Sequence, residues 1–285
     1  MARRLAVLID LSGTLHVEDQ GIPGAIEALK KLRAVSQRRQ AESNISDSES
    51  TTLTSLRDEH YEGWLLMGVS EIPVPQESIN VLHNRLTRIG FEIEKNEIFT
   101  SLLAARRKIE SDKLRPFLML QDEAKEDFAG LDTTNPNAVV VGLAPSQFHF
   151  EKMNEAFRLL LGGATFIAVH KGRYYKRNDG LALGPGPFVR ALEYATDKQA
   201  FVVGKPEKAF FHSAVESLNA SDVLMIGDDV RDDVCGAIDA GFKGILVRTG
   251  KYRPNDELQI PEPDRHCVES FVEAVDLIER GKIFH

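Results

Sequence analysis

Three short apolar runs, each stopped by glycine or a charged residue, leave this chain few folds to adopt. Leu5-Ala6-Val7-Leu8-Ile9 stops at Asp10 and the turn Leu11-Ser12-Gly13-Thr14-Leu15. Ala200-Phe201-Val202-Val203 stops at Gly204-Lys205-Pro206, and Val223-Leu224-Met225-Ile226 stops at Gly227-Asp228. Runs so short and so uniformly apolar read as buried parallel strands. Between them lie helical periodicities: Ile26, Leu29, Leu32 and Val35; Met153, Ala156, Phe157, Leu160 and Leu161; Phe210, Phe211, Ala214, Val215 and Leu218; then Phe271, Val275 and Ile278. Such stripes are core faces. Strands alternating with helices predict an α/β fold with a parallel sheet covered on both sides. In such sheets ligands bind just beyond the carboxyl ends of the strands. Asp10, Lys205 and Asp228 all fall there.

The richest of these strand ends is Gly227-Asp228-Asp229-Val230-Arg231-Asp232-Asp233, with four acids in six positions from Asp228. That much negative charge is costly unless a cation offsets it. Mg²⁺ suits it, being a hard ion held through one or two carboxylates and a substrate phosphate. The plain alternative is an acidic loop capping the helix from Val234 to Ala240, since acids favour a helix N-terminus. Lys205 beside such acids would be a point charge suited to a phosphate. A surface lysine is the plain alternative there.

This trio, in this order, resembles the haloacid dehalogenase-like (HAD) hydrolase superfamily, with matches at Asp10 to Thr14, at Lys205 and at Asp228 to Asp233. Gly172-Arg173-Tyr174-Tyr175-Lys176 and the stretch Gly180 to Pro187 narrow the likeness, which covers residues 1–35 and about 77–285. The resemblance implies a Rossmann-like parallel-sheet core carrying an inserted α/β cap of the C2 type. It divides the chain into core at 1–90, cap at 91–177 and core again at 178–285. Within the cap, Pro116 to Leu120, Ala138 to Val141 and Thr165 to Val169 read as strands.

The resemblance further implies a phosphatase acting through a covalent aspartyl-phosphate on Asp10. Mg²⁺ would be held by Asp10, Asp228 and the backbone carbonyl of Ser12, and Lys205 would pair with the phosphate. Asp233 would orient Lys205 or a metal-bound water, with Asp229 less defined beside it. A cap excludes water and selects substrate; His170, Lys171, Arg173, Tyr174, Tyr175 and Lys176 are its candidate recognition residues, against a solvated basic turn. Homodimerisation through the cap is a further expectation.

Ser12 departs from the usual pattern. Most phosphatases of the superfamily carry aspartate two residues after the nucleophile, where it protonates the leaving group. Serine cannot be that acid near neutral pH, and such help is worth ~10²–10⁴-fold in rate. A phosphatase of the superfamily also has serine there, so the change does not by itself abolish activity. The expectation is a preference for N-phosphoryl, pyrophosphate or acyl-phosphate groups over alkyl phosphomonoesters.

Composition narrows the partners. A formal charge of −8, with no cluster of basic residues, argues against nucleic acid. There is no apolar stretch long enough to span a bilayer, and Met1-Ala2-Arg3-Arg4 runs straight into the first strand, which points to a cytoplasmic protein; a small phosphorylated compound as its partner is what the resemblance implies. Two cysteines, Cys235 and Cys267, provide neither a disulfide framework nor a metal set.

Residues 36–76 do not fit. From Ser36 to about residue 60 the chain is rich in Ser and Thr, poor in apolar residues and without period, a composition that favours disorder. It reads as an insertion or as a segment foreign to the native chain. The family's second strand, ending in a phosphate-binding Thr or Ser, is not where it should be. Trp64-Leu65-Leu66-Met67-Gly68-Val69 could supply it, with Ser70 in the phosphate role. If it does not, the alternative function is a catalytically impaired phosphate-binding or interaction protein that keeps the fold. A receiver domain and a metal-free dehalogenase are disfavoured, the first by the large inserted domain at 91–177 and the position of Lys205, the second by the acids at 228–233.

Overall fold

The computed structural model describes residues 3–46, 59–68, 77–177, 180–216, 218 and 220–281. The chain forms two compact units, one built from Met1–Gly68, Arg85–Ile98 and Phe211–His285, the other from Val69–Asn84 and Phe99–Phe210.

The first unit holds a six-stranded sheet in the order Cys267–Val268, Lys243–Val247, Asp222–Gly227, Arg3–Asp10, Glu59–Gly68 and Ile98–Thr100. Arg3–Asp10 lies at its centre, parallel to Asp222–Gly227 on one side and to Glu59–Gly68 on the other. Leu5 to Ile9 are at most 1% exposed, as a strand covered on both faces requires. The helix Ala25–Ser46 buries Ala25, Ala28, Leu29, Leu32 and Val35. Its Lys31 bridges Asp276 and Glu279 of the helix Phe271–Glu279, each at 2.7 Å. Arg33 joins Glu97 at 2.9 Å and lies over the Trp64 ring, 5.0 Å from its centroid.

The second strand of the core is therefore present. Trp64 to Met67 are buried in it, Met67 in register with Asp10. The expected loss of order from Ser36 does not hold for 36–46, which continue the helix. Gln, Arg, Ala and Glu in that stretch are good helix formers, and local propensity outweighs the lack of an apolar stripe. Residues 47–58 and 69–76, Ser70 among them, lie outside the described residues.

The second unit holds a four-stranded parallel sheet in the order Phe201–Val202, Thr165–Ala168, Ala138–Val141 and Pro116–Met119. Helices Phe150–Leu161 and Gly186–Thr196 cover it, with Ala156, Leu160, Val189 and Leu192 packed against Val139, Val141, Phe166 and Ala168. A hairpin, Tyr174–Arg177 with Gly180–Leu183, precedes the second helix. The division at 91 and 177 read from the sequence does not coincide with these units. On the C-terminal side, Phe201 and Val202 pair with Ile167 and Ala168, so the run ending at Lys205 joins the inserted sheet. Among the described residues no helix is long and apolar enough to cross a membrane.

Candidate active site

Parallel register sets the site. Ile9 aligns with Ile226, so Asp10 and Gly227-Asp228 emerge at the same edge of the first unit's sheet. The turn after Gly227 then folds Asp233 back. One carboxylate oxygen from each of Asp10, Asp228 and Asp233 lies within 4.8 Å of the others, and the three residues are 7%, 1% and 2% exposed. Three carboxylates buried side by side repel one another unless a cation compensates. An all-oxygen donor set of this charge fits a hard divalent ion such as Mg²⁺.

The surrounding loops are shaped to this cluster. Gly13 has φ +94°, and a Cβ there would collide with the Asp228 carboxylate, so only glycine lets the loop after Asp10 pass. Thr249 Oγ1 donates to the Gly13 carbonyl at 2.6 Å, and the Lys251 amide donates to Asp228 Oδ2 at 2.6 Å. Asp229 Oδ1 accepts the amides of Arg231 and Asp232 at 3.0 and 3.1 Å, capping the helical turn Val230–Cys235, while Lys251 Nζ lies 3.5 Å from its other oxygen. The Asp229 amide donates to Asp233 Oδ2 at 3.1 Å. Within the acidic motif Asp229 caps the turn Val230–Cys235, upstream of the helix from Val234 to Ala240 expected to be capped, whereas Asp228 and Asp233 stand with Asp10.

Ser12 is partly buried and forms a backbone bridge with His16. Thr14 and His16 are buried, and Thr14 Oγ1 and His16 Nε2 have no hydrogen-bond partner among the described residues. His16 Nδ1 lies 2.9 Å from the Glu18 carbonyl, so the ring proton sits on Nδ1. Burial, with Arg85 adding to it, lowers the His16 pKa and keeps the ring neutral. Lys205, 7% exposed, follows the Phe201–Val202 strand of the second unit.

Sequence reasoning passed over Thr249, Lys251, Thr14 and His16. For the first two a signal existed: Arg248-Thr249-Gly250-Lys251 is a glycine turn directly after the apolar strand Lys243–Val247.

The fold and motifs have counterparts among known proteins. A p-nitrophenyl phosphatase from Archaeoglobus fulgidus superposes with a TM-score of 0.75 at 25% identity, covering 95% of this chain and 98% of that one. The HAD-hydrolase-like family model matches residues 202–274. Human phospholysine phosphohistidine inorganic pyrophosphate phosphatase is 36% identical over 95% of this chain and 93% of its own. Rat haloacid dehalogenase-like hydrolase domain-containing protein 2 is 52% identical over 97% of each. Identity of that extent along both chains, together with the shared motifs, makes this protein a member of the haloacid dehalogenase-like hydrolases.

Proposed function

We propose that this chain is a Mg²⁺-dependent phosphatase of small phosphorylated compounds, with Asp10 as its nucleophile. The observation that carries the reading is the buried cluster of Asp10, Asp228 and Asp233 at the strand ends. Asp10 and Asp228, with the Ser12 carbonyl, would hold the ion, and Asp233 stands beside them as the third carboxylate. When bound, Mg²⁺ offsets the charge that gathers on a transferring phosphoryl group.

An Asp10 oxygen attacks phosphorus as the bond to the leaving group breaks, giving an aspartyl-phosphate. Water then attacks that phosphorus as its bond to the Asp10 oxygen breaks; the water's protons stay with the inorganic phosphate released, and Asp10 returns as the carboxylate. Asp228 is fixed by the Lys251 amide and so keeps its oxygens in place throughout. Since Ser12 offers no acid, the departing group must leave without strong proton donation. This favours pyrophosphate, N-phosphoryl and acyl-phosphate groups, the first two of which the 36% identical human relative is named for. The phosphate roles read for Lys205 and Ser70, a cap function for the inserted unit and a homodimer rest on the family resemblance, and a cytoplasmic setting rests on the sequence reading alone.

Phosphate release from pyrophosphate, phosphohistidine and an aryl phosphate, with and without Mg²⁺, tests the reading. Activity that requires Mg²⁺ and vanishes in Asp10→Asn is expected. A folded wild-type protein inert on all three would overturn the reading; the impaired alternative loses its premise, because the second strand is present.

A further inference from the structure

The second unit contains a basic cleft that shares no residue with the acidic cluster. It has a volume of about 370 Å³ and is lined by Lys171, Arg173, Gly186, Pro187, Arg190 and Glu193. Its floor is Glu193, whose side chain is 1% exposed. Glu193 accepts Lys171 Nζ at 2.6 Å, the Ala200 amide at 2.9 Å and Arg190 Nη1 at 3.3 Å. Burial works to raise its pKa, and these bonds, led by Lys171, hold it below the ordinary carboxylate value. Glu193 is thus ionised and acts as the post on which two of the cations are hung.

The residue carrying the third cation is fixed through its backbone. The Gly184 amide donates to the Arg173 carbonyl at 3.0 Å and the Gly186 amide to the Gly172 carbonyl at 2.9 Å, fastening Lys171–Arg173 to the start of the helix Gly186–Thr196. Arg173 is exposed and makes no ion pair among the described residues. Three cations against one carboxylate leave a net charge of +2 around the cleft. The helix N-terminus at its wall adds positive potential. A lone surface arginine would not be a site; a pre-assembled group around a concave space, anchored by a buried counter-charge, is one.

We infer that this cleft binds a small molecule through a dianionic phosphoryl group, with Arg173 and Arg190 as its principal contacts. Two guanidinium groups match the geometry of phosphoryl oxygens, and charge-assisted bonds of that kind are the strong ones. The inference is independent of the phosphatase reading, since it needs neither Asp10 nor a metal.

Titration calorimetry with inorganic phosphate, in chelator and without divalent ions, tests it on the full chain. Binding is expected in the wild type, weakened roughly ten- to hundred-fold in the double variant Arg173→Ala and Arg190→Ala, and unchanged in Asp228→Asn. Both arginines are exposed, the Arg190 side chain by 73%, and circular dichroism checks that the double variant is folded. Phosphate affinity indifferent to both arginines, or lost in Asp228→Asn, would overturn the site. Succinate binding as tightly as phosphate would overturn its assignment to a phosphoryl group.

Discussion

The backbone amide of Lys251 donates to Oδ2 of Asp228 at 2.6 Å, so the loop after one strand holds the carboxylate at the end of its neighbour. Gly250 makes this approach feasible. It has φ +55°, and a Cβ there would overlap the Asp228 carboxylate and come within 2.5 Å of the Gly13 Cα. Gly250→Ala should therefore displace Asp228, and a misplacement near 1 Å can cost ~10²-fold in rate. Gly163→Ala, also at positive φ but with nothing within 4 Å, is the control for backbone strain. Comparing Mg²⁺-dependent phosphate release in the two variants checks this; equal losses would count against the geometry.

The acidic cluster should also register in stability. With no metal, Asp10, Asp228 and Asp233 repel one another, so Asp233→Asn is expected to raise the melting temperature of chelated protein. The asparagine carbonyl can still accept the Asp229 amide that now reaches Asp233 at 3.1 Å. Mg²⁺ should stabilise the wild type by about 2.7 kcal/mol at a hundred-fold excess over its dissociation constant, and the variant by clearly less. Thermal melts with and without Mg²⁺ measure both. A variant less stable than wild type in chelator would contradict the repulsion argument.

Much of this site was legible in the chain because strand ends announce themselves locally. Apolar runs cut off at Asp10 and Gly227 are short-range patterns, and parallel pairing brings their ends together whatever lies between them. The Lys205 run was equally visible, yet an apolar run does not name its partner strand, and Phe201–Val202 pairs within the inserted sheet. Lys251 escaped notice for another reason: its amide does the work, and a backbone donor leaves no mark in side-chain chemistry. The Trp64 strand was obscured by the polar segment before it, although its buried positions follow the usual apolar rule.

His170 should make the protein sensitive to acid. Burial lowers its pKa from 6.5 to about 4, and its Nδ1 accepts the Gly172 amide at 3.2 Å. The unfolded chain then binds the proton more readily than the folded one between pH 6.5 and 4, so this contribution to stability is intact above 6.5 and lost as pH falls toward 4. His170→Asn, which keeps an acceptor near Nδ1, should flatten the dependence of melting temperature on pH across that window. An unchanged slope would mean the ring is protonated in the fold.

Asp127 should act with the opposite sign. Burial raises its pKa to about 6, against the Ile79 amide, which lies 3.0 Å from Oδ1, and Arg106; the Glu126 charge adds to the rise. The folded state holds this proton more tightly than the unfolded chain, so the contribution is lost as pH rises from 3.8 through 6. Asp127→Asn retains an acceptor for Ile79 without the buried charge. It is expected to melt higher than wild type at pH 7 and to lose that advantage near pH 4. Melting curves at the two pH values decide it, and a variant less stable at pH 7 would show that the ionised carboxylate's bond to the Ile79 amide is worth more than its burial costs.

Ser12 offers the sharpest test of the chemistry. It stands two residues beyond Asp10, partly buried, in a loop whose path is fixed by the bridge to His16 and by Gly13. A carboxylic acid at this point could donate a proton to a departing alkoxide, whereas a serine hydroxyl is far too weak an acid. Alkoxides need that proton; p-nitrophenolate, and the phosphate displaced from pyrophosphate, leave well without it. Ser12→Asp should therefore raise kcat on an alkyl phosphate such as glycerol phosphate by up to ~10²–10⁴-fold, while kcat on p-nitrophenyl phosphate changes little. The ratio of the two rates is the measurement, because a general loss from added negative charge beside Asp10 and Asp228 would lower both together. An unchanged ratio would mean that leaving-group protonation does not limit this site, and the preference for pyrophosphate and N-phosphoryl substrates would then need another origin.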